Sequence, residues 1–123
     1  MIFDHIVLNV TDTQVSKQFY SKALAPLGIL LIKEEEGCVG FGAHGKPSFW
    51  ICHGEATQKP MHIAFIAPNG ASIDAFYEEA LLVGGQDNGK PGLRKHYQPN
   101  YYSAFVLDPD GHNVEAVCRL AIK

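Results

Sequence analysis

Three polar side chains interrupt apolar stretches of this 123-residue chain in a pattern that suits metal chemistry. His5, His62 and Glu115 each lie in a segment whose composition predicts a β-strand, namely Phe3–Val10, Met61–Ala67 and Asn113–Cys118. Burying a carboxylate costs free energy unless it is paired or binds a cation. Two imidazoles and one carboxylate suit Fe(II), Mn(II), Ni(II), Co(II) or Zn(II), and they leave coordination positions open for a substrate. The residue types therefore predict a divalent metal site.

Taken one at a time, these residues have simpler interpretations. A single histidine in a strand is more often hydrogen-bonded in the interior than bound to a metal. Glu115 would pair with Arg94 or Arg119 at the surface if the strand faces were reversed. The metal interpretation is favoured because the three residues occur together and the two histidines are related by a repeat.

That internal repeat sets the organisation of the chain. A shift of 57 residues carries His5 onto His62 and Phe19 onto Phe76, among other identities. Each half combines strand-like segments with one helical stripe of apolar residues, so each predicts the order βαβββ.

The repeat divides the chain into modules of residues 1–54 and 59–123. One strand of the second module is poorly defined, because residues 86–100 are rich in glycine, proline and asparagine and predict a loop. Neither module is long enough to bury a comfortable core alone, so we predict one α+β domain over residues 1–123. A cleft lined by strands of both modules is the natural ligand site.

The segment before the predicted strand at residue 101 carries a dense cluster of polar and aromatic groups. Arg94 could clamp a substrate carboxylate or phosphate. His96 and Tyr97 are candidates for acid or base catalysis, together with Glu115. A solvated loop anchored by tyrosines is the alternative for this cluster.

Four further residues are candidates for substrate binding. Tyr101 and Tyr102 point to opposite faces of one strand, so one of them should face the cleft. Trp50 is a candidate for the cleft wall, and Asn9 shares a strand face with His5.

The composition argues against several partners. Ten basic residues against thirteen acidic ones give a net charge of -3, whereas a nucleic-acid-binding domain normally shows a basic face. No apolar run approaches the roughly 20 residues that a membrane span needs, and the first residues do not resemble an export signal. Three cysteines, an odd number without CxxC spacing, predict reduced thiols in a cytoplasmic protein.

The doubled βαβββ order, both histidines and the ending Asp108-Pro109-Asp110-Gly111-His112-Asn113-Val114-Glu115 resemble the vicinal oxygen chelate superfamily. This superfamily includes glyoxalase I, extradiol dioxygenases, fosfomycin-resistance proteins and bleomycin-binding proteins. The resemblance implies paired modules around a U-shaped cleft, often in a homodimer, with a divalent metal at its base. It places His5, His62 and Glu115 on three of the metal-ligand positions.

The fourth ligand position is where this chain departs from glyoxalase I, which has a glutamate on the last strand of the first module. The strand Ser48–His53 corresponds to Asn113–Cys118, and we assign Ile51 to the position opposite Glu115. His53 and Glu55 are the nearest substitutes. Because one carboxylate is missing, the resemblance leaves the proton shuttle of glyoxalase I in question and brings the dioxygenases and thiol transferases closer.

These expectations combine into one functional prediction, which is a metal-dependent enzyme acting on a small molecule that chelates the metal through adjacent oxygens. A glyoxalase-like lyase or isomerase is the first candidate within that class, and an extradiol-type dioxygenase or a thiol transferase is the second. The alternative is a non-catalytic module of the bleomycin-resistance kind, with which Trp50, Tyr101, Tyr102 and the acidic net charge are compatible.

Overall fold

The computed structural model of the protein describes residues 3–55 and 60–120. Two helices and eight strands follow one another along these residues. In chain order they are β1 (Ile6–Val10), α1 (Thr13–Leu24), a 3-10 turn (Ala25–Leu27), β2 (Leu30–Glu35), β3 (Cys38–Ala43), β4 (Lys46–His53), β5 (His62–Ile66), α2 (Gly70–Leu82), β6 (Gln86–Leu93), β7 (Tyr101–Leu107) and β8 (Asn113–Arg119).

The strands form two four-stranded mixed sheets with the same topology. The first sheet has the order β1-β4-β3-β2 and the second the order β5-β8-β7-β6. In each sheet the first strand of the module pairs parallel to the last, and the other pairs are antiparallel. The predicted α+β class and the tandem βαβββ modules are therefore confirmed.

Each helix begins at a side-chain cap that follows a strand. Asp12 caps α1 by accepting hydrogen bonds from the backbone amides of Gln14 and Val15. Asn69 caps α2, and Ser72 at the third helical position completes a capping box. These caps fix where each helix leaves its strand.

The core joins both modules. Buried residues of both helices and both sheets form one cluster, including Phe19 and Tyr20 of α1 and Ile73 and Phe76 of α2. The two helices pack on each other and on the inner faces of the sheets. The opposite face of each sheet is therefore left for function.

The strand β6 corrects one expectation, because residues 86–93 were expected to be part of a loop. They pair antiparallel to β7 with two register shifts, and those shifts fall next to Gly89 and Gly92. Irregular pairing removes the period-two alternation by which a strand is recognised from sequence, so glycine and proline suggested a loop.

The cysteines correct a second expectation. Cys38 and Cys52 lie directly opposite each other on β3 and β4, with Cα atoms 4.1 Å apart, and they form a disulfide. The prediction of reduced thiols is wrong for this pair, since the strand register brings together residues that have no motif spacing. Cys118 is a buried thiol. Disulfides persist in oxidising compartments, so the cytoplasmic location stays a prediction.

No helix among the described residues is long and apolar enough to cross a membrane.

We expect the substitution Gly42→Ala to lower the free energy of unfolding by about 3 kcal/mol. A Cβ atom at this position would lie 1.9 Å from the backbone oxygen of Lys46, which cannot be relieved by rotating a side chain. The matched control is Gly70→Ala, where the nearest atom would be 3.5 Å away and the change should be neutral or slightly stabilising. Urea denaturation followed by circular dichroism measures both, and equal stability of the two variants would contradict this account.

Candidate functional site

One face of the second sheet carries the polar groups that could do chemistry. Val114 and Ala116 of β8 are buried in the core, so Glu115 between them points to the opposite face. We call this opposite face the site face. Its residues include His62 of β5, Glu115 of β8, and Tyr101, Ser103 and Phe105 of β7.

Glu115 is the centre of the site face. Its side chain is only 2% exposed, and its Oε1 lies 2.7 Å from Nε2 of His62. Its Oε2 accepts a hydrogen bond from the hydroxyl of Tyr101. The imidazole of His62, in contrast, is 55% exposed. A buried carboxylate is thus held between a phenol and an accessible imidazole.

Tyr101 is held in its protonated form. Burial, followed by the hydrogen bond to Glu115, raises the pKa of Tyr101 to about 12. Its ring packs edge-on against Tyr97, with centroids 5.0 Å apart, and lies under the guanidinium of Arg119. Tyr101 therefore donates to the carboxylate throughout the neutral range.

Tyr102 lies on the other face of β7, as strand alternation requires. Its hydroxyl donates a hydrogen bond to Oδ1 of Asp74 at 2.6 Å. This hydrogen bond, followed by burial, raises the pKa of Tyr102 to about 12. The structure thus places Tyr101 on the site face and uses Tyr102 to attach β7 to α2.

His5 is not brought together with the other two predicted ligands. It precedes β1, its exposed ring lies 2.7 Å from Oδ1 of Asp4, and Asp4 also pairs with Lys46. Within residues 3–55 and 60–120, no group of three or more His, Cys, Asp or Glu side chains could hold a metal ion. One chain therefore supplies two of the three predicted ligands at one place.

The pair formed by His62 and Glu115 suits two neighbouring positions of a metal site. Nε2 of His62 and Oε1 of Glu115 lie 2.7 Å apart, which is the separation of a direct hydrogen bond. An imidazole with a carboxylate also suits the divalent metals named above.

The strand register corrects the predicted fourth position. Val7 pairs with Trp50, and Ala64 pairs with Glu115. Because the repeat carries Val7 onto Ala64, the counterpart of Glu115 is Trp50. The assignment of Ile51 was wrong by one residue, since Trp50 is also the third residue of Ser48–His53, as Glu115 is of Asn113–Cys118. Ile51 is fully buried in the core. The conclusion that this position lacks a carboxylate is unchanged.

The remaining candidates lie at varying distance from Glu115. Trp50 and Asn9 share the equivalent face of the first sheet, where the indole lies so close to Gly40 that a Cβ there would be 2.9 Å from it. His96 is exposed and packs on Tyr97, with ring centroids 4.2 Å apart. His96 is thus connected to the site through Tyr97 and Tyr101, whereas Trp50 and Asn9 lie on the first sheet.

Phe105 is a site-face residue that the sequence interpretation missed. Its ring centroid lies 6.0 Å from that of His62 and 5.4 Å from Cζ of Arg94. Strand alternation from Tyr101 would have placed it on the same face. Phe105 therefore contacts both the guanidinium of Arg94 and the imidazole of His62, and His62 is the hydrogen-bond partner of Glu115.

We expect the phenol of Tyr101 to titrate near pH 12, as observed by phenolate absorbance in the difference between the wild type and Tyr101→Phe. Because the folded pKa lies above the ordinary value of 10.0, the stabilisation is fully present below pH 10. It should be lost as the pH rises from 10 through 12. A difference spectrum that titrates at the ordinary pKa would show that the bond to Glu115 does not form.

Known protein families and solved structures share this architecture. The family model described as Glyoxalase/Bleomycin resistance protein/Dioxygenase superfamily matches residues 2–116. Among curated proteins, none matches closely enough to be counted.

Three solved structures show the similarity of the fold. A glyoxalase/bleomycin resistance protein from Albidiferax ferrireducens is 28% identical, with a TM-score of 0.84 over 97% of this chain and 100% of its own. A glyoxalase/bleomycin resistance protein/dioxygenase family enzyme from Burkholderia phytofirmans is 15% identical, with a TM-score of 0.74 over 95% and 98%. A glyoxalase-related enzyme from Fulvimarina pelagi is 19% identical, with a TM-score of 0.72 over 95% and 86%. The chain therefore belongs to the glyoxalase/bleomycin resistance protein/dioxygenase superfamily.

Proposed function

We propose that this protein is a metal-dependent enzyme of the glyoxalase type, acting on a small molecule with adjacent oxygens. The observation that supports it is the buried carboxylate of Glu115 beside the exposed imidazole of His62. A carboxylate is costly to bury, and the pair leaves its exposed side toward the site face rather than toward the core. A divalent metal held there by His62, Glu115 and a third donor would act as a Lewis acid on the bound oxygens.

The other residues of the site face have separate tasks in this proposal. Tyr101 holds Oε2 of Glu115 and leaves Oε1 for the metal or a proton. Glu115 is the base that moves a proton, because Trp50 occupies the counterpart position. Trp50 and Asn9 line the substrate on the equivalent face.

His96 and Tyr97 are the proposed outer acid–base groups. Both are exposed. His96 packs on Tyr97, which packs edge-on against Tyr101, and the hydroxyl of Tyr101 contacts Glu115. A substrate bound over Tyr101 would meet them at the rim of the site.

A homodimer would supply the third metal ligand. His5 is exposed in its own chain, and exposed apolar side chains, Val7 and Ile66, lie on the faces directed away from the helices. Large exposed apolar groups on one side of a protein mark an interaction surface. We propose that His5 of the partner subunit joins His62 and Glu115.

Nickel and zinc titration by calorimetry tests the metal site. The wild type should bind one equivalent per chain, and His62→Ala should lose that binding. The matched control is His44→Asn, in the β3–β4 turn, because asparagine tolerates the positive φ of 57° found there. Equal metal binding by the wild type and His62→Ala would overturn the proposal.

A mixing experiment tests the shared site. His5→Ala and Glu115→Ala each lack one ligand, but a mixed dimer has one complete site, so an equal mixture should recover about a quarter of the wild-type capacity. His5 of the same chain is the competing donor. In that case mixing recovers nothing, and the shared site is wrong.

An extradiol-type dioxygenase is the second candidate. The reason is that the first sheet carries Trp50, and no carboxylate, at the position equivalent to Glu115. Oxygen consumption by the Fe(II)-loaded protein with a catechol would favour it. Proton exchange at carbon in the Ni(II)-loaded protein, without oxygen uptake, would favour the lyase or isomerase.

A further inference from the structure

The guanidinium of Arg94 lies in a space that Gly89 and Gly92 leave open, and we call this space the seat of Arg94. A Cβ atom at Gly89 would lie 3.3 Å from one terminal nitrogen of the guanidinium, and a Cβ at Gly92 would lie 3.3 Å from the other. Both distances are shorter than ordinary van der Waals contacts. A Cβ atom at either position would require the guanidinium to shift by a few tenths of an ångström.

An aromatic ring and a backbone oxygen also contact the guanidinium in the seat. The ring of Phe105 lies beneath the guanidinium, with Cζ of Arg94 5.4 Å from the ring centroid. One terminal nitrogen donates to the backbone oxygen of Lys90. Arg94 is thereby oriented before any ligand arrives, which lowers the entropy cost of binding one.

The guanidinium of Arg94 forms no ion pair with an acidic side chain in the described part of the chain. The ion pairs formed by residues 3–55 and 60–120 involve lysines and histidines, and Arg94 takes part in none of them. The side chain is partly buried. A planar guanidinium with donors to spare is suited to a carboxylate, which it binds through two parallel hydrogen bonds.

The seat lies beside the proposed metal ligands. The ring of Phe105 lies within 6.0 Å of the His62 ring as well, and Phe105 is the register partner of Glu115 on the neighbouring strand. The guanidinium and the candidate metal pair therefore flank one aromatic side chain on the site face. A small molecule spanning Phe105 would contact both.

We propose that Arg94 selects substrates that carry a carboxylate in addition to the adjacent oxygens bound at His62 and Glu115. This inference rests on the proposed metal site and defines the substrate class as small organic acids. Gly89 and Gly92 are positioning residues for the guanidinium, and Phe105 supports the body of the substrate.

Two probes with the same metal-binding oxygens test the inference. Protocatechuate carries a carboxylate on its catechol ring, and its methyl ester lacks the charge. Calorimetry with the zinc-loaded protein, without oxygen, should show that the acid binds at least about tenfold more tightly than the ester. Arg94→Gln should remove this preference while the ester keeps its affinity.

Two more variants separate charge from position. Lys95→Gln removes a neighbouring exposed cation and should leave the preference intact. Gly92→Ala keeps the arginine but shifts its guanidinium by a few tenths of an ångström, so the preference should fall partially, and less than in Arg94→Gln, although the net charge is unchanged. Thermal unfolding of each variant checks that it is folded.

The outcomes distinguish this inference from the proposed function. Equal affinity for the acid and the ester, or an unchanged preference in Arg94→Gln, would overturn the role of Arg94 and leave the metal site standing. Failure of both probes to bind the zinc-treated protein would overturn the metal site and this inference with it.

Discussion

Replacing Glu115 with alanine is expected to weaken nickel binding by at least about a hundredfold, because the substitution removes a metal ligand and not merely its support. Glu115→Gln keeps the shape and an acceptor for Tyr101 but loses the charge, so it should be nearly as damaging. Tyr101→Phe removes a hydrogen bond to the ligand and should cost about tenfold to a hundredfold. Calorimetric titration measures all three.

The order of these effects is the critical result. Asp87→Asn, on β6, removes an exposed carboxylate outside the His62–Glu115–Tyr101 contacts and serves as the control for loss of charge. If Glu115→Gln binds nickel as the wild type does, Glu115 has a structural role and the metal site is wrong. If Tyr101→Phe is more damaging than Glu115→Ala, the phenol is the ligand instead.

Replacing Asp108 with alanine is expected to lower the free energy of unfolding by about 3–5 kcal/mol. Asp108 is buried and accepts hydrogen bonds from the Tyr20 hydroxyl at 2.5 Å and from the backbone amides of Asp110 and His112, both at 2.9 Å. Burial and the Asp108 carboxylate raise the pKa of Tyr20 well above its ordinary value, so the phenol remains a donor. Alanine would leave two buried donors, the Tyr20 hydroxyl and the His112 amide, and the part-buried amide of Asp110 without this partner.

Two variants locate the origin of this effect by urea denaturation. Tyr20→Phe removes one donor and should cost about 1–3 kcal/mol. Asp110→Ala removes the exposed hydrogen bonds from the amide and the hydroxyl of Thr11, also between the modules, and should cost under about 1 kcal/mol. If Asp108→Ala lowers the free energy of unfolding no more than Asp110→Ala does, the hydrogen bond between Tyr20 and Asp108 does not hold the modules together.

The fold could be predicted from sequence to the level of modules, because the repeat and the apolar stripes are local patterns. The strand β6 could not, since its pairing is interrupted at Gly89 and Gly92 and leaves no alternation. The disulfide depends on the register of β3 and β4, whereas counting along the two equivalent strands already gives Trp50 as the counterpart of Glu115. A shift of one residue separates Ile51 in the core from Trp50 on the opposite face.

The candidate site could be predicted in part for the same reason. Alternation within β7 assigned Tyr101 and Tyr102 to opposite faces, and the family resemblance placed His62 and Glu115 at one site. The contact between Tyr101 and Glu115 requires the pairing of two strands, and the seat of Arg94 requires an irregular backbone. Whether His5 joins the site depends on geometry outside any single strand, and it stays a prediction.

Trp50 is the single tryptophan of the chain, and it occupies on the first sheet the place that Glu115 occupies on the second. Its half-buried indole, packed over Gly40, is therefore an intrinsic fluorophore located on a candidate functional surface. When a ligand or another subunit covers that surface, its emission should move to shorter wavelength and acrylamide should quench it less. Occupancy of the first sheet can thus be followed optically, without a label.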